Sequence, residues 1–340
     1  MELATRSLIT VGAAAIGAGL ITAVPATAPP QIESPAVQLA ADGDFFSLWA
    51  DVLDRAFTNV TALGTELVTP PIPVLQQVVV NQVGFLQDFF HDPADIWHIF
   101  GQLWGNLVTG VTVPFEPDTD LLDTAHRLAF ASIAALVPAD DKFLNWLVDF
   151  TASPVSGWLW GEVGALVSPW LELRDSLSSM IGAIGDGDWS GVWNDLVNIP
   201  AHMTDGWLNG YGTIDLTDLV GPMLPDLPIG TIRSVSVDLG GLLSPGGALF
   251  GGVGADVCTS LPFVGCVSVP PFPISGTDVG PWGSLIGMSH TIAQALGWDG
   301  TGNPISALVG GATATGAATD LFGGDELWLG AQEFFASLGL

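Results

Sequence analysis

Apolar residues recur every three or four positions through most of the first two hundred residues of the chain. This spacing places them on one face of a helix and is typical of amphipathic α-helices. Asp, Gly and Pro stand between the apolar runs, where they favour helix starts and stops. The pattern predicts helices over residues 45–63, 74–90, 93–110, 121–136, 140–150 and 170–184.

The stretch Asp188–Gly212 is the most informative part of this helical region. Apolar residues follow Asp188 at helical spacing, and an aspartate can cap the first turn. Ile199-Pro200 should end this helix, because the residue before a proline is disfavoured in the helical conformation. A second helix should then run from Ala201 to a turn at Asn209-Gly210. By the same reasoning we expect breaks at Pro154, Gly157, Gly161 and Ser168-Pro169.

The spacing of apolar residues changes after Gly212, where charged residues become rarer and glycine and proline become more frequent. Ser234–Leu239 alternates strictly between polar and apolar residues, as in a strand with one solvent-exposed face. We expect a hairpin of Thr213–Val220 with Arg233–Leu243. A last amphipathic helix is predicted over Asp325–Leu338. The predicted fold is therefore mainly α, a bundle of short amphipathic helices with a small β-hairpin region and a Gly/Pro-rich, loop-dominated C-terminal part ending in a helix.

The beginning of the chain is typical of an export signal. Arg6 precedes the uncharged apolar run Leu8–Val24, and small residues then offer cleavage after Ala26 or Ala28. An uncleaved N-terminal anchor helix is the alternative. The expected organisation is a signal peptide (1–28), a flexible stem (29–43), a helical domain (44–212), a β-hairpin with its connection (213–250) and a Gly-rich, low-charge region (251–340). We therefore expect an exported protein of the cell envelope.

The charge of the chain excludes some partners and favours others. Asp and Glu number 35 against 6 Lys and Arg, so the formal net charge is -29. Nucleic acid and anionic lipid headgroups should be repelled, whereas cations should concentrate near the surface or inside any pore.

Evenly spaced aspartates after Asp238 leave uncharged runs of bilayer-spanning length, but these runs contain too much Gly and Pro for membrane helices. Only Pro281–Trp298 could form a buried or inserted helix.

Thirteen tryptophans against one tyrosine are unusual. Tryptophan suits a membrane interface, a carbohydrate or lipid surface, or a protein core. Because most of these residues have helical spacing, core packing is the favoured interpretation.

Cys258 and Cys266 are the only two cysteines in the chain. In an exported protein a disulfide is the natural interpretation, and it would close a short loop that stabilises only modestly. Free buried thiols are the alternative. A metal site would need further ligands, and none lies nearby in the sequence.

No catalytic or cofactor motif emerges from the sequence. Ser289-His290 resembles a nucleophile elbow, but the glycine two places after the serine is missing. His91, Asp95 and His98 could converge on a metal, although surface and capping roles are commoner for three such residues. Carboxylates are plentiful, yet no pair stands out as a glycosidase site. We therefore expect neither an enzyme, nor a cofactor, nor a metal site.

Three segments resemble a known family: Pro73–Gln82, Asn198–Gly210 and Leu239–Gly247. Together they resemble the GjpA-type outer-membrane porin family of mycolate-containing actinobacteria, and the last two are also similar to C-terminal regions of PE/PPE-type surface proteins. The resemblance implies a porin-like channel of the cell envelope, and the acidic charge balance adds the expectation that it passes small, mainly cationic solutes. Its implied partners are envelope lipids or membrane, with a possible homo-oligomer and no nucleic acid. The alternative is a non-catalytic secreted envelope protein that binds lipid or packs in the cell wall. If a channel forms, helices from several copies must line it, or the monomer must refold at the membrane.

Overall fold

The computed structural model describes residues 45–220, 230–261 and 265–308. The predicted signal peptide, stem and last helix lie outside these ranges. The fold is mainly helical with a small four-stranded antiparallel sheet, as the sequence predicts. The helices are α1 (Phe45–Leu67), α2 (Pro73–His91), α3 (Ile96–Thr112), α4 (Thr124–Ala134), α5 (Lys142–Thr151), α6 (Pro154–Asp186), α7 (Trp189–Asn209), α8 (Thr217–Val220) and α9 (Pro281–Ala295). The strands are β1 (Gly210–Asp215), β2 (Thr231–Gly240), β3 (Val253–Leu261) and β4 (Gly265–Ser268).

The described residues fall into two compact units. Unit 1 comprises the residues up to Leu63 together with Phe115–Gly287, and unit 2 comprises Gly64–Pro114 and the residues from Met288 onward. Unit 1 contains the long helices α6 and α7 and the whole sheet. Unit 2 contains α2 and α3.

The predicted breaks at Pro169 and Pro200 are wrong, because α6 and α7 each continue through their proline. A proline inside a helix removes one N–H donor and crowds the carbonyl four residues earlier. Here the buried faces of α6 and α7 pack on each other on both sides of these positions, and this packing outweighs the lost hydrogen bond. Pro154 starts α6 behind the cap of Ser153. Each helix is therefore one rigid element in which the sequence predicts two.

The sheet has the order β1-β2-β3-β4 with antiparallel neighbours throughout. The predicted pairing of β1 with β2 is confirmed, with Thr213 opposite Asp238. The prediction is wrong beyond Asp215, where Thr217–Val220 forms a short helix, and it misses the β3–β4 hairpin altogether. Apolar residues of β1 and β2 pack with helix α6 and the segment before α9 in the core of unit 1, which includes Trp160, Tyr211, Ile214, Val237, Leu239 and Val279.

Glycines let backbone segments approach α6 closely. A Cβ atom on Gly157 would lie 2.6 Å from the carbonyl carbon of Gly247, and one on Gly161 would lie 2.5 Å from that of Gly280. These glycines therefore pack against loops and do not interrupt the helix, contrary to the prediction. The loop 240–247 also closes the end of α7, since the N–H groups of Leu242 and Leu243 donate to the carbonyls of Trp207 and Leu208 at 2.8 and 2.9 Å.

Unit 2 confirms the start predicted before α3. The Asp92 Oδ1 atom accepts a hydrogen bond from the Ala94 N–H at 2.9 Å, and Pro93 begins the short 3₁₀ turn that leads into the helix. Amide side chains of α2 donate hydrogen bonds to the chain that follows α9. The Asn81 Nδ2 atom donates to the Leu296 carbonyl at 3.0 Å.

Candidate functional site

Helix α7 has its polarity reversed relative to an ordinary surface helix. Four polar residues spaced four, three and four positions apart are buried: Asn198, His202, Asp205 and Asn209. The opposite face carries Trp189, which is 70% exposed, and the exposed residues Trp193, Leu196 and Trp207. A soluble helix normally buries the apolar face. The spacing in the sequence identifies both faces correctly but does not tell which one is buried.

Helix α6 also exposes an apolar face. Its exposed residues repeat at helical spacing: Leu166, Trp170, Leu177, Ile181 and Ile184. Eight of the twelve tryptophans in the described ranges are exposed, so the interpretation of the tryptophans as core residues is wrong for most of them. Large exposed apolar surfaces of this kind mark contacts with proteins, membranes or ligands.

Between α1, α6 and α7 lies a seam of polar side chains in unit 1. Arg55 of α1 forms an ion pair with the buried Asp205. The Asn209 Nδ2 atom donates to Asp205 Oδ1 at 2.7 Å and to the Val52 carbonyl at 3.2 Å, while Asn59 Nδ2 donates to Asn209 Oδ1 at 3.0 Å. These bonds join α1 to α7 through polar contacts, where a core of this size would normally use apolar ones.

Glu172 of α6 lies in the same seam. Desolvation, assisted by the charge of Asp175 and opposed by that of Arg55, raises the pKa of Glu172 from 4.5 to about 7. The Glu172 Oε2 atom lies 4.0 Å from Nδ1 of His202. Burial lowers the pKa of His202, and the charge of Asp195 opposes this shift. Both burial effects favour the uncharged forms, a protonated carboxyl and a neutral imidazole.

Unit 2 carries a second exposed apolar face, on α3. Trp97 is 81% exposed, and exposed apolar residues follow it along the helix. Residues 97 to 111 span about 21 Å along the helix axis at 1.5 Å per residue. The helix contains no Asp, Glu, Lys or Arg. The face consists of Trp97, Phe100, Trp104, Leu107, Val108 and Val111.

The structure does not bring the other sequence candidates together into a site. His91, Asp95 and His98 are exposed, and His98 Nε2 lies 3.1 Å from Gln102 Nε2. The described part of the chain holds no group of three His, Cys, Asp or Glu side chains suited to a metal. His290 packs edge-on against Trp298, with ring centroids 5.5 Å apart.

The structure contains the predicted disulfide between Cys258 and Cys266, with Cα atoms 5.5 Å apart. It joins β3 to β4 across the hairpin, where Cys258 lies opposite Ser268 and Cys266 opposite Ser260.

We expect a modest loss of stability when both cysteines are replaced by serine. The crosslinked residues are 8 positions apart. Closing so short a loop lowers the conformational entropy of the unfolded chain, which stabilises the folded protein by about 2.5 kcal/mol at most. Thermal unfolding under non-reducing conditions measures this loss, and the wild-type protein in excess dithiothreitol should show the same decrease. An unchanged melting temperature in both cases would contradict it.

None of the helices in the described ranges combines the length and the apolar character needed to cross a bilayer. Comparison of the chain with known protein families, with characterised proteins and with solved structures finds no significant match.

Proposed function

We propose that this protein is a porin-like channel of the cell envelope, assembled from several copies, that lets small, mainly cationic solutes pass. The observation that carries the proposal is the reversed polarity of α7, with polar side chains inside and tryptophans outside. An apolar exterior around a polar interior is the arrangement that a lipid environment favours, because lipid solvates apolar side chains and leaves polar ones without partners.

The exposed aromatic residues support contact with lipid. Tryptophan concentrates at the interface between membrane and water, where the ring is apolar and the indole N–H finds a polar partner. Trp189 and Trp193 lie one helical turn apart next to the turn between α6 and α7. Asp186 and Asp188 at this turn would remain at the level of the headgroups.

The charge supports selectivity for cations. The formal net charge of -29 makes the electrostatic potential near the protein negative, which attracts cations and repels anions. The resemblance of three segments to outer-membrane porins also supports a channel function. If a channel forms, helices from several copies must line it, or the monomer must refold at the membrane.

Planar-bilayer recording tests the channel directly. The detergent-extracted protein is reconstituted in neutral phosphatidylcholine with a gradient of KCl across the bilayer. We expect discrete conductance steps and a reversal potential close to that of potassium. Absence of conductance, or a reversal potential close to that of chloride, would contradict the proposal.

Serine replacements test whether the α7 face contacts lipid. Trp189→Ser with Trp193→Ser should weaken partitioning into neutral phosphatidylcholine vesicles by at least about tenfold, because two large apolar side chains are lost. Trp146→Ser with Trp282→Ser is the matched control, since these tryptophans are also exposed but lie on other helices. We expect it to change partitioning by less than about twofold. Equal effects of the two double variants in a sedimentation assay would argue against a specific α7 surface.

The second candidate is a non-catalytic envelope protein that binds lipid without conducting. The charge-free α3 face favours it, because this face needs an apolar partner but offers no polar lining. Vesicle binding by the wild-type protein without any conductance would select this function over the channel.

A further inference from the structure

One face of the sheet in unit 1 is polar. Side chains alternate between the two faces of a strand, so Ser234, Ser236 and Asp238 of β2 share a face, while Val235, Val237 and Leu239 point the other way. Thr213 of β1 lies opposite Asp238, and Asp256 of β3 lies opposite Ser234. The polar face therefore displays hydroxyl and carboxyl groups from three adjacent strands.

A recess of about 250 Å³ lies on this polar face. The segment Pro273–Gly276 forms one wall and is held by paired backbone hydrogen bonds between Ala255 and Ile274, both 2.9 Å long. The volume is below the range of drug-sized pockets and fits a ligand of a few non-hydrogen atoms. The polar side chains that line the recess are those of Thr213, Ser234, Ser236, Asp256 and Ser275.

Asp238 supplies a buried acceptor next to the recess. Its side chain is 8% exposed, and Oδ1 has no hydrogen-bond partner among the described residues. Its neighbours include two lining residues: the Thr213 side chain hydrogen-bonds to its carboxyl group, and a Cβ atom on Gly276 would lie 3.0 Å from its Cγ. Burying a carboxylate oxygen without a donor is unfavourable, so a ligand donor that reached Oδ1 from the recess would remove this cost.

The charges around the recess favour a cation. Asp256 lies in the lining, and its Oδ2 atom is 3.6 Å from Nη1 of the exposed Arg233. Desolvation raises the pKa of Asp238. Although part of the Asp278 side chain is exposed, desolvation and the charge of Asp238 raise the pKa of Asp278 to about 6. A positive charge nearby would stabilise both carboxylates and lower both pKa values.

We propose that this recess binds a small organic cation that carries a primary ammonium group. Ammonium supplies three N–H donors for the Asp238 carboxylate and the serine and threonine hydroxyls. An anionic ligand would be repelled by Asp256 in the lining and by Asp238 next to it. A metal ion is disfavoured because no three acidic, histidine or cysteine side chains in the described ranges are placed to coordinate one. The site requires no lipid and no assembly, so the test of this site is independent of the test of the channel.

Titration of the full-length protein with putrescine tests the site. Isothermal titration calorimetry at low ionic strength should show one saturable site, and ¹⁵N-labelled protein should show chemical-shift changes concentrated in β1, β2 and β3. 1,4-Butanediol has the same four-carbon chain with hydroxyl groups in place of ammonium, and it should not bind measurably. No saturable binding of putrescine, or equal binding of the diol, would overturn the proposal.

Amide variants show whether the aspartates make the site. Asp238→Asn should weaken putrescine binding by about tenfold or more, the loss expected for one charge-assisted hydrogen bond. Asp51→Asn, at an exposed position of α1, is the matched control for the loss of one charge and should change binding by less than about twofold. Asp256→Asn, which removes the carboxylate in the lining of the recess, is the second variant if Asp238→Asn does not fold, and it should also weaken binding. Unchanged affinity in the folded Asp238→Asn or Asp256→Asn variant would show non-specific attraction only and would overturn the proposal.

Discussion

Gly157→Ala is expected to destabilise unit 1 by at least about 3 kcal/mol, at the upper end of what overpacking costs. The new methyl group would lie 2.6 Å from the carbonyl carbon of Gly247 and 3.0 Å from the Ala248 Cα. Both are backbone atoms, which cannot move aside by changing a rotamer, so the loop 240–247 must shift away from α6. Urea-induced unfolding followed by circular dichroism measures the loss, and the melting temperature should fall by roughly 6–12 °C.

Gly182→Ala in the same helix is the matched control. A Cβ atom at this position meets nothing within 4 Å, so only the helix propensity changes. Alanine is favoured over glycine in a helix interior by up to about 1 kcal/mol, and this variant should therefore be slightly more stable than the wild type. If both variants lose stability equally, the close contact between α6 and the loop does not determine the effect.

This contrast shows where the sequence predicts the fold well. Asp92-Pro93 predicts the start of the segment leading into α3 correctly because capping depends on residues that are neighbours in the chain. Glycine in α6 is different, because its effect depends on a loop ninety residues away. Gly157 therefore has the local signature of a helix break, whereas in the structure it allows the loop to contact the helix.

Contacts between distant parts of the chain also decide the effect of the prolines and the formation of the short strands. Pro169 and Pro200 are helix breakers by local preference, yet the packing of α6 on α7 outweighs that preference. Strands β3 and β4 have little alternation of their own and form by pairing, partly under the constraint of the Cys258–Cys266 disulfide. Periodicity finds the long helices, but long-range packing decides whether a proline ends them and whether these short strands form.

The candidate surfaces were harder to predict than the elements. Helical spacing in α7 separates the tryptophans from Asn198, His202, Asp205 and Asn209, but a pattern alone does not state which face is buried. The usual assumption that apolar residues are buried gives the wrong answer here. The signal that could have corrected it is the regular four-three-four spacing of side chains that can pair with one another, since a polar seam has to satisfy its own hydrogen bonds.

Glu172→Gln is expected to stabilise the protein by about 3 kcal/mol at pH 8 and to leave its stability nearly unchanged at pH 4.5. Burial raises the pKa of Glu172 from 4.5 to about 7, and one pKa unit corresponds to about 1.4 kcal/mol. Between these two pH values the native state binds more protons than the unfolded state, so the wild-type stability falls as the pH rises. Above pH 7 the wild type contains a buried carboxylate, whereas the neutral glutamine has the same shape without the charge.

Urea unfolding at pH 4.5, 6 and 8 measures this dependence, with Glu116→Gln as the control at an exposed position. Because its side chain is exposed, the control should change the free energy of unfolding by no more than about 0.5 kcal/mol. His202 acts in the opposite direction: because burial holds its pKa below 6.5, its contribution to stability is lost as the pH falls below that value. Between pH 4.5 and 6.5 the effects of the two residues on wild-type stability therefore oppose each other, and above pH 6.5 only the loss from Glu172 remains. A Glu172→Gln gain of equal size at all three pH values would mean that shape or hydrogen bonding, and not the buried charge, limits the stability of the seam.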